Sequence, residues 1–330
     1  MKASIVGVGA IGGLLAARLA RAGHQVSALA RGATLAALRE RGIRVESGGT
    51  TDETRIGVAS DDPAVLGPVD VVFITLKAPA LAPMASTLRP LIGAHTLVVP
   101  MMNGVPWWFL RYGPLASTAA GQAPLAAVDP NGSIDAALPS GRTIGAVVHI
   151  SSVGLGPAHL LHVMGDRLIV GEPAGGASDR VARLADMLSG AGFAVEASAD
   201  IRRDVWYKLW GNMTMNPVSA LTGATSDHIL DDELIRDFML RAMAEAAAVG
   251  ARIGCPIEQS GEERIAVTRK LGSFKTSMLQ DAQAGRPLEL DALVAVVREI
   301  GQRVGVATPN IDALLGLARL MAATRGLTTH

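Results

Sequence analysis

Short apolar runs in the first third of the chain predict buried strands, because each run is too short for a helix. These runs lie at residues 3–7, 25–30, 69–75 and 96–100. Residues 11–22 and 35–41, which lie between them, carry apolar positions at helical spacing. Strands that alternate with helices at such intervals are typical of βαβ units. We therefore predict an α/β fold with a mostly parallel sheet, which binds its ligands at the carboxyl ends of the strands.

The pattern changes in the second half of the chain. Residues 143–151 and 160–170 predict two strands, antiparallel to each other, that close the far edge of the sheet, and a helix follows at 177–190. From residue 200 onward the apolar spacing is helical throughout. The helices are predicted over 200–222, 233–253, 259–271, 290–304 and 311–324. We therefore predict an α/β domain of residues 1–198, followed by an all-helical domain of residues 199–330.

Composition and charge narrow the class of protein. The 330 residues are 49% hydrophobic, and 30 basic side chains balance 30 acidic ones. A balanced charge argues against nucleic acid or an anionic membrane as a partner. No uninterrupted apolar run approaches the roughly 20 residues of a membrane span, and glycines interrupt the N-terminal apolar stretch where a secretory signal would have its core. The single Cys255 has no disulfide partner and no clustered metal-ligand partners, so we expect a cytoplasmic, metal-free protein.

A glycine motif of the form G-x-G-x-x-G follows the first predicted strand and opens the first predicted helix. Its residues are Gly7, Gly9, Ala10, Ile11 and Gly12, with Val8 between the first two glycines. In this context the motif predicts a dinucleotide site of the Rossmann type. The first glycine permits a tight turn, the second lets a pyrophosphate approach the backbone, and the third allows close packing of helix on strand. The start of the helix offers N–H groups and partial positive charge to the phosphates.

The end of the second strand indicates which dinucleotide binds. An NAD-specific site places Asp or Glu there to bind the ribose 2′-hydroxyl. This chain instead has Ala30 followed by Arg31. A guanidinium pairs with a 2′-phosphate through its planar fork of donors. We therefore predict that NADPH is the cofactor and that Arg31 binds its 2′-phosphate.

The predicted helix over 200–222 carries an unusual polar stripe. Lys208, Asn212 and Asn216 recur every four residues, which places them on one face of the helix. Apolar side chains fill most of the neighbouring positions, and a buried Lys or Asn needs polar partners. Spacing alone leaves two interpretations open: a substrate-binding face, or a solvated stripe with a satisfied lysine.

This helix resembles the catalytic helix of the ketopantoate reductase family, whose pattern is K-x-x-x-N-x-x-x-N-P. The matching residues are Lys208, Asn212, Asn216 and Pro217. Residues 277–281 and 287–291 are similar to a second signature of the family, which contains a substrate-binding serine and an active-site glutamate at the positions of Ser277 and Glu289. The resemblance extends in order from about residue 3 to about residue 310.

The resemblance implies reduction of 2-dehydropantoate to pantoate by NADPH, with Lys208 as the proton donor to the ketone oxygen. It implies that Glu289 orients Lys208 or binds a substrate hydroxyl group. The implied substrate-binding residues are Asn103, Asn212, Asn216 and Ser277. It further implies that Asn103 also contacts the nicotinamide and that Lys77 lines the nicotinamide pocket. A homodimer is expected as well, as in some relatives.

Two features depart from the family pattern and leave open which 2-oxo acid is the substrate. Trp107 and Trp108 follow the Asn103-Gly104 pair, where a less aromatic sequence is expected. They predict either a reshaped or lidded pocket, which would suit a bulkier 2-oxo acid, or packing alone. The long segment 112–142 predicts an inserted loop near the substrate. Another two-domain dehydrogenase and a non-catalytic NADPH-binding regulator are the alternative functions.

Overall fold

The computed structural model describes residues 1–328, which contain two β-sheets. The strands are β1 (Lys2–Val6), β2 (Gln25–Leu29), β3 (Ile43–Ser47), β4 (Thr50–Thr54), β5 (Val58–Ser60), β6 (Val69–Ile74), β7 (Ile92–Pro100), β8 (Gly145–Gly156), β9 (His159–Gly171) and β10 (Ala194–Ser198). The first sheet has the order β5-β2-β1-β6-β7, and every pair in it is parallel. The predicted parallel sheet is therefore confirmed. The strand order reverses between β1 and β6, which is where open parallel sheets bind ligands.

Helices connect the strands and make up the C-terminal part of the chain. They are α1 (Ala10–Arg21), α2 (Gly32–Glu40), α3 (Pro63–Leu66), α4 (Ala119–Gln122), α5 (Ser133–Ala137), α6 (Asp179–Gly190), α7 (Ile201–Thr222), α8 (Ser226–Asp231), α9 (Glu233–Arg252), α10 (Gly261–Arg269), α11 (Ser277–Gln283), α12 (Val296–Val304) and α13 (Pro309–Thr324). A π-helical turn, Asp291–Ala295, leads directly into α12. As predicted, the described residues from α7 onward contain no strand. Each described helix is too short or too polar to cross a bilayer.

The antiparallel pair β8 and β9 is confirmed, but its predicted place at the edge of the first sheet is wrong. The two strands belong to a second five-stranded sheet, in which β9 has β8 along one edge. The other edge of β9 is shared by β3 near His159 and by β10 near Gly171. The polar sequence of β4, Thr50–Thr54, gave no apolar signal for a strand, so this sheet was not predicted.

Helix α1 packs between the two sheets. Its residues Leu14, Leu15 and Leu19 are at most 2% exposed and belong to one core with residues of both sheets. On the side of the second sheet, a Cβ atom on Gly13 would lie 2.5 Å from the side chain of Leu160 in β9. The helix that opens at the glycine motif is therefore held on both sides, which fixes its N-terminus relative to β1.

Contacts between Cα atoms divide the chain into two compact units. The first contains Met1–Met102 and Ser133–Asp204, and the second contains Asn103–Gly132 and the chain from Val205 onward. This division differs from the predicted domains in the segment Asn103–Gly132, which the prediction counted with residues 1–198, and in the boundary, which lies after Asp204 instead of after residue 198. The physical reason is a set of hydrogen bonds: Glu299 of α12 accepts from the N–H groups of Ala126 and Ala127 at 2.9 and 2.8 Å. The division of functions between the two domains stays a prediction.

Candidate active site

The glycine motif forms the turn between β1 and α1 in the first unit. Gly7 follows β1 directly and has a φ of +95°, a conformation that L side chains rarely adopt. Gly9 is the N-cap of α1, and no heavy atom lies within 4 Å of the position that its Cβ would occupy. Ala10 and Ile11 begin the helix, where an α-helix leaves backbone N–H groups without internal partners. The turn therefore offers N–H groups and an unobstructed backbone to an anion.

The third glycine and a threonine of the neighbouring strand hold this turn in shape. A Cβ atom on Gly12 would lie 2.2 Å from the carbonyl oxygen of Gly7 and 2.3 Å from Oγ1 of Thr75. Thr75, directly after β6, donates a hydrogen bond of 2.6 Å from this hydroxyl to the Gly7 carbonyl. The turn is thereby tied to the ends of both strands that flank the switch point.

Arg31 and Lys77 lie at the same edge of the first sheet. Arg31 follows the carboxyl end of β2, is exposed, and caps the N-terminus of α2. Its guanidinium makes no hydrogen bond or ion pair within residues 1–328. Lys77 follows β6, is also exposed, and precedes the 3₁₀ turn Ala78–Ala80. Because β2 and β6 flank β1 in a parallel sheet, their carboxyl ends and the glycine turn lie at one edge.

In the second unit, Lys208 of α7 bonds to the Asn-Gly pair. Its side chain is half-buried, and Nζ donates a hydrogen bond of 2.8 Å to Oδ1 of Asn103. Burial lowers the pKa of the Lys208 amine from 10.5 to about 8, and the carboxylate of Glu289 opposes this shift. The amine is therefore charged near neutral pH but releases its proton more readily than an exposed lysine. This combination suits a general acid.

Glu289 is the carboxylate of this cluster. It is 5% exposed and directly precedes Leu290 and the π-helical turn. A carboxylate at this depth needs charged or hydrogen-bonding partners. Lys208 supplies the opposite charge, as the effect of Glu289 on the lysine pKa shows. The structure thus brings together Lys208, Asn103 and Glu289, which lie far apart along the sequence.

The two other asparagines of the predicted stripe follow Lys208 along α7. The helix is continuous from Ile201 to Thr222, so Asn212 and Asn216 share the face of Lys208. Asn212 is half-buried and Asn216 is 7% exposed. Neither amide makes a side-chain hydrogen bond to another described residue. A polar ligand on this face would supply the hydrogen bonds that a buried amide requires.

Ser277 and the tryptophans lie in different surroundings. Ser277 is exposed as the first residue of α11, and its hydroxyl makes no hydrogen bond in the described part of the chain. Its role in holding a carboxylate stays a prediction.

Trp107 and Trp108 are 4% and 0% exposed, and the ring centroid of Trp108 lies 6.0 Å from that of Phe109. Burial of both indoles favours packing over a lid as their role.

Sequence reasoning named the Asn103-Gly104 pair but did not predict the π-helical turn or the contact between the two. The N–H group of Val105 donates a hydrogen bond of 3.0 Å to the carbonyl of Ala292, which lies within the π-helical turn. The Asn-Gly pair was the only signal for this contact in the sequence. The π-helical turn had no signal, because four of its five residues are apolar and continue the helical spacing of α12.

A Rossmann-type glycine turn together with a desolvated lysine beside a carboxylate defines a dinucleotide-dependent oxidoreductase. Comparison with family models makes this class specific. Residues 3–107 match the model of ketopantoate reductase PanE/ApbA, and residues 200–322 match the model of its C-terminal part. The chain belongs to the ketopantoate reductase family.

Individual relatives agree over almost the whole chain. A 2-dehydropantoate 2-reductase of Mesorhizobium japonicum is 43% identical over 99% of both chains. A crystal structure of a candidate ketopantoate reductase from Ralstonia solanacearum MolK2 is 57% identical, with a TM-score of 0.94 over 99% of both chains. A D-mandelate dehydrogenase solved with NADH and anilino(oxo)acetate has a TM-score of 0.84 over 99% of this chain and 100% of its own. Its identity is 20%, so that likeness concerns the fold.

Proposed function

We propose that this protein reduces a 2-oxo acid with NADPH, and that the acid is 2-dehydropantoate, which becomes pantoate. The observation that carries the proposal is the environment of Lys208: a half-buried amine, hydrogen-bonded to Asn103 and influenced by buried Glu289, in a member of the ketopantoate reductase family. This cluster argues against a non-catalytic regulator, which has no need of a desolvated proton donor.

The chemistry follows from where charge develops. When bound, NADPH supplies a hydride to the ketone carbon, and the electron pair of the C=O bond moves to the oxygen. Lys208 then stabilises this oxygen by a hydrogen bond and gives it a proton, so that the alcohol forms and the amine becomes neutral. A pKa of about 8 makes this transfer easier than from a lysine of ordinary pKa. Asn103, which accepts from Nζ, keeps the amine in place.

The preference for NADPH over NADH rests on Arg31. It follows β2 without an acidic neighbour on that strand end, and within the described residues its guanidinium has no partner of its own. A 2′-phosphate would supply a doubly hydrogen-bonded partner for this guanidinium. The unobstructed Gly9 and the start of α1 fit the pyrophosphate of either dinucleotide.

Steady-state kinetics test the proposal directly. We expect kcat/KM with NADPH to be at least about tenfold higher for 2-dehydropantoate than for other straight-chain, branched or aromatic 2-oxo acids. A substrate pocket usually discriminates by at least this factor between substrates that differ by a single methylene group. A higher kcat/KM for an aromatic acid would mean that this acid, and not 2-dehydropantoate, is the substrate. The proposed reductase activity would still hold. Absence of turnover with every 2-oxo acid would refute the proposal.

Two further features stay predictions of the sequence. A homodimer is expected, and the mass in solution by light scattering measures it. A cytoplasmic location is expected from the single cysteine, and fractionation of cells of the source organism measures it.

A further inference from the structure

The Asn103-Gly104 pair lies unusually close to the π-helical turn Asp291–Ala295. Gly104 has a φ of +91°, and a Cβ on it would lie 2.2 Å from the carbonyl oxygen and 2.8 Å from the Cβ of Ala292. The next residue, Val105, donates its N–H to the same carbonyl oxygen at 3.0 Å. The approach is therefore backbone against backbone, and flexible side chains cannot relieve it.

The residues that meet Lys208 lie within three positions of this contact along the chain. Asn103, which accepts from Lys208, directly precedes Gly104. Glu289, which influences the lysine amine, lies three positions before Ala292 and directly precedes the helical residues that begin at Leu290. Single π-helical turns inside helices occur frequently at functional sites, where they alter the helical register. The Gly104–Ala292 contact thus joins the two segments that carry the partners of the lysine.

A second anchor holds the segment that follows. Phe109 stacks on Trp206, with ring centroids 5.9 Å apart, and Trp206 lies two residues before Lys208 in α7. Trp206 in turn lies against Gly250 of α9, where a Cβ would meet its indole nitrogen at 2.3 Å. The segment that follows Asn103 is therefore held at two points, by Gly104 on the π-helical turn and by Phe109 on α7.

We propose that Gly104 is a positioning residue: by docking its backbone on the carbonyl of Ala292, it holds the amide of Asn103 against Nζ of Lys208 at a set place relative to Glu289. This inference rests on the proposed reductase function for its kinetic consequences. The geometric part, from Gly104 to the lysine amine, does not depend on the substrate.

The first test is kinetic and uses a matched pair of variants. Gly104→Ala forces the turn away from Ala292, and we expect kcat to fall roughly a hundredfold, since displacements near 1 Å have effects of this size. Gly223→Ala is the control, because Gly223 also has a positive φ, +73°, but has no heavy atom within 4 Å of its Cβ position. The control shares the backbone strain without the clash and should keep kcat within about twofold.

A double-mutant cycle separates positioning from general damage. If Gly104 acts through Asn103, Gly104→Ala in an Asn103→Ala background should lower kcat by less than about threefold, because the interaction is already lost. Losses that multiply in full would overturn the inference. Wild-type enzyme that reduces no 2-oxo acid would refute the proposed function instead, and it would leave the next test intact.

The second test observes the lysine itself. The chain has five lysines, so selective ¹³C labelling gives five resolvable side-chain signals, and Lys208→Met identifies the one of interest. We expect the Lys208 signal of Gly104→Ala to titrate with the midpoint of Asn103→Ala, below that of wild type, because both variants lose the acceptor that favours the charged amine. A wild-type midpoint in either variant would overturn the inference.

A third measurement needs no variant at position 104 and serves if Gly104→Ala does not fold. In wild-type protein, the backbone amide signal of Val105 should shift with pH at the midpoint of Lys208, because the turn joins the two. The shift should vanish in Lys208→Met. A Val105 signal that does not follow the lysine titration would overturn the inference.

Discussion

The glycine turn of the first unit and the Lys208 cluster of the second are built in opposite ways. The turn uses contiguous residues and acts mainly through its backbone. The absence of side chains at Gly7, Gly9 and Gly12 is what allows the turn to form and to offer its backbone to a ligand. The cluster acts through side chains from separate segments, and Lys208 and Asn103 are 105 positions apart. A site made of backbone can be deleted only by adding atoms, whereas a site made of side chains can be deleted by removing them. The two should therefore fail differently when they are changed.

The largest effect is expected in the cluster. Lys208→Met removes the proposed proton donor and should lower kcat by about a thousandfold, within the usual range for general acid–base catalysis. The dissociation constant of NADPH, measured by fluorescence, should stay the same. Lys270→Met, at an exposed lysine, is the control and should keep full activity. If Lys208→Met keeps its turnover, the lysine has no part in the reaction.

The complementary change in the turn adds an atom. Gly9→Ala has space in the protein, since no heavy atom lies within 4 Å of the added Cβ, so the melting temperature should be unchanged. The methyl group would occupy the approach of the pyrophosphate, and the dissociation constant of NADPH should rise roughly a hundredfold, as for an overpacked contact. Gly12→Ala should instead destabilise the protein, because its Cβ meets the Gly7 carbonyl at 2.2 Å. Tight binding of NADPH to Gly9→Ala would exclude the turn as its site.

Arg31→Ala tests the side chain on which the proposed preference for NADPH rests. Loss of charge-assisted hydrogen bonds should raise the dissociation constant of NADPH by roughly thirtyfold, equivalent to about 2 kcal/mol. Binding of NADH, which has no 2′-phosphate, should change by less than about twofold. Equal losses for both nucleotides would remove Arg31 from cofactor discrimination.

A smaller effect is expected on the pH dependence of the cluster. In the proposed reaction the amine of Lys208 must be protonated, so kcat of the wild type should fall as pH rises through about 8. Glu289 raises the pKa of Lys208, so Glu289→Gln should lower it and move the fall in kcat to lower pH. The pH profile of kcat measures this shift. A basic limb that does not move would mean that Glu289 has no influence on the proton donor.

The smallest effect concerns stability. The amine titrates near pH 8 in the folded protein and near its ordinary 10.5 in the unfolded chain. Between these values the unfolded chain binds more protons, so the free energy of unfolding should rise with pH. Lys208→Met should lose this rise, which urea unfolding at several pH values measures. A rise of equal size in the variant would show that another group causes it.

Local patterns predicted much of the first unit and part of the second. β1, the glycine turn and α1 followed from one contiguous stretch, and α7 followed from its apolar spacing together with the Lys208 stripe. The polar strand β4 and the short helices α8 and α11 were missed, because few residues or few apolar positions carry their signal. The place of β8 and β9 was predicted wrongly, since strand pairing depends on partners elsewhere in the chain.

By itself, the sequence determined which groups are available: glycines that leave a backbone bare, an arginine where NAD enzymes have an acid, and a lysine on an apolar helix. Tertiary structure decided how those groups meet. The pKa of Lys208, the bond to Asn103 and the approach of Gly104 to Ala292 depend on burial and distance between remote segments. The hydrogen bonds within helices and turns, and the steric limits on a single residue's backbone, act between near neighbours in the chain, so their patterns are readable in the sequence. Desolvation and charge coupling act through space, so they exist only once the chain has folded.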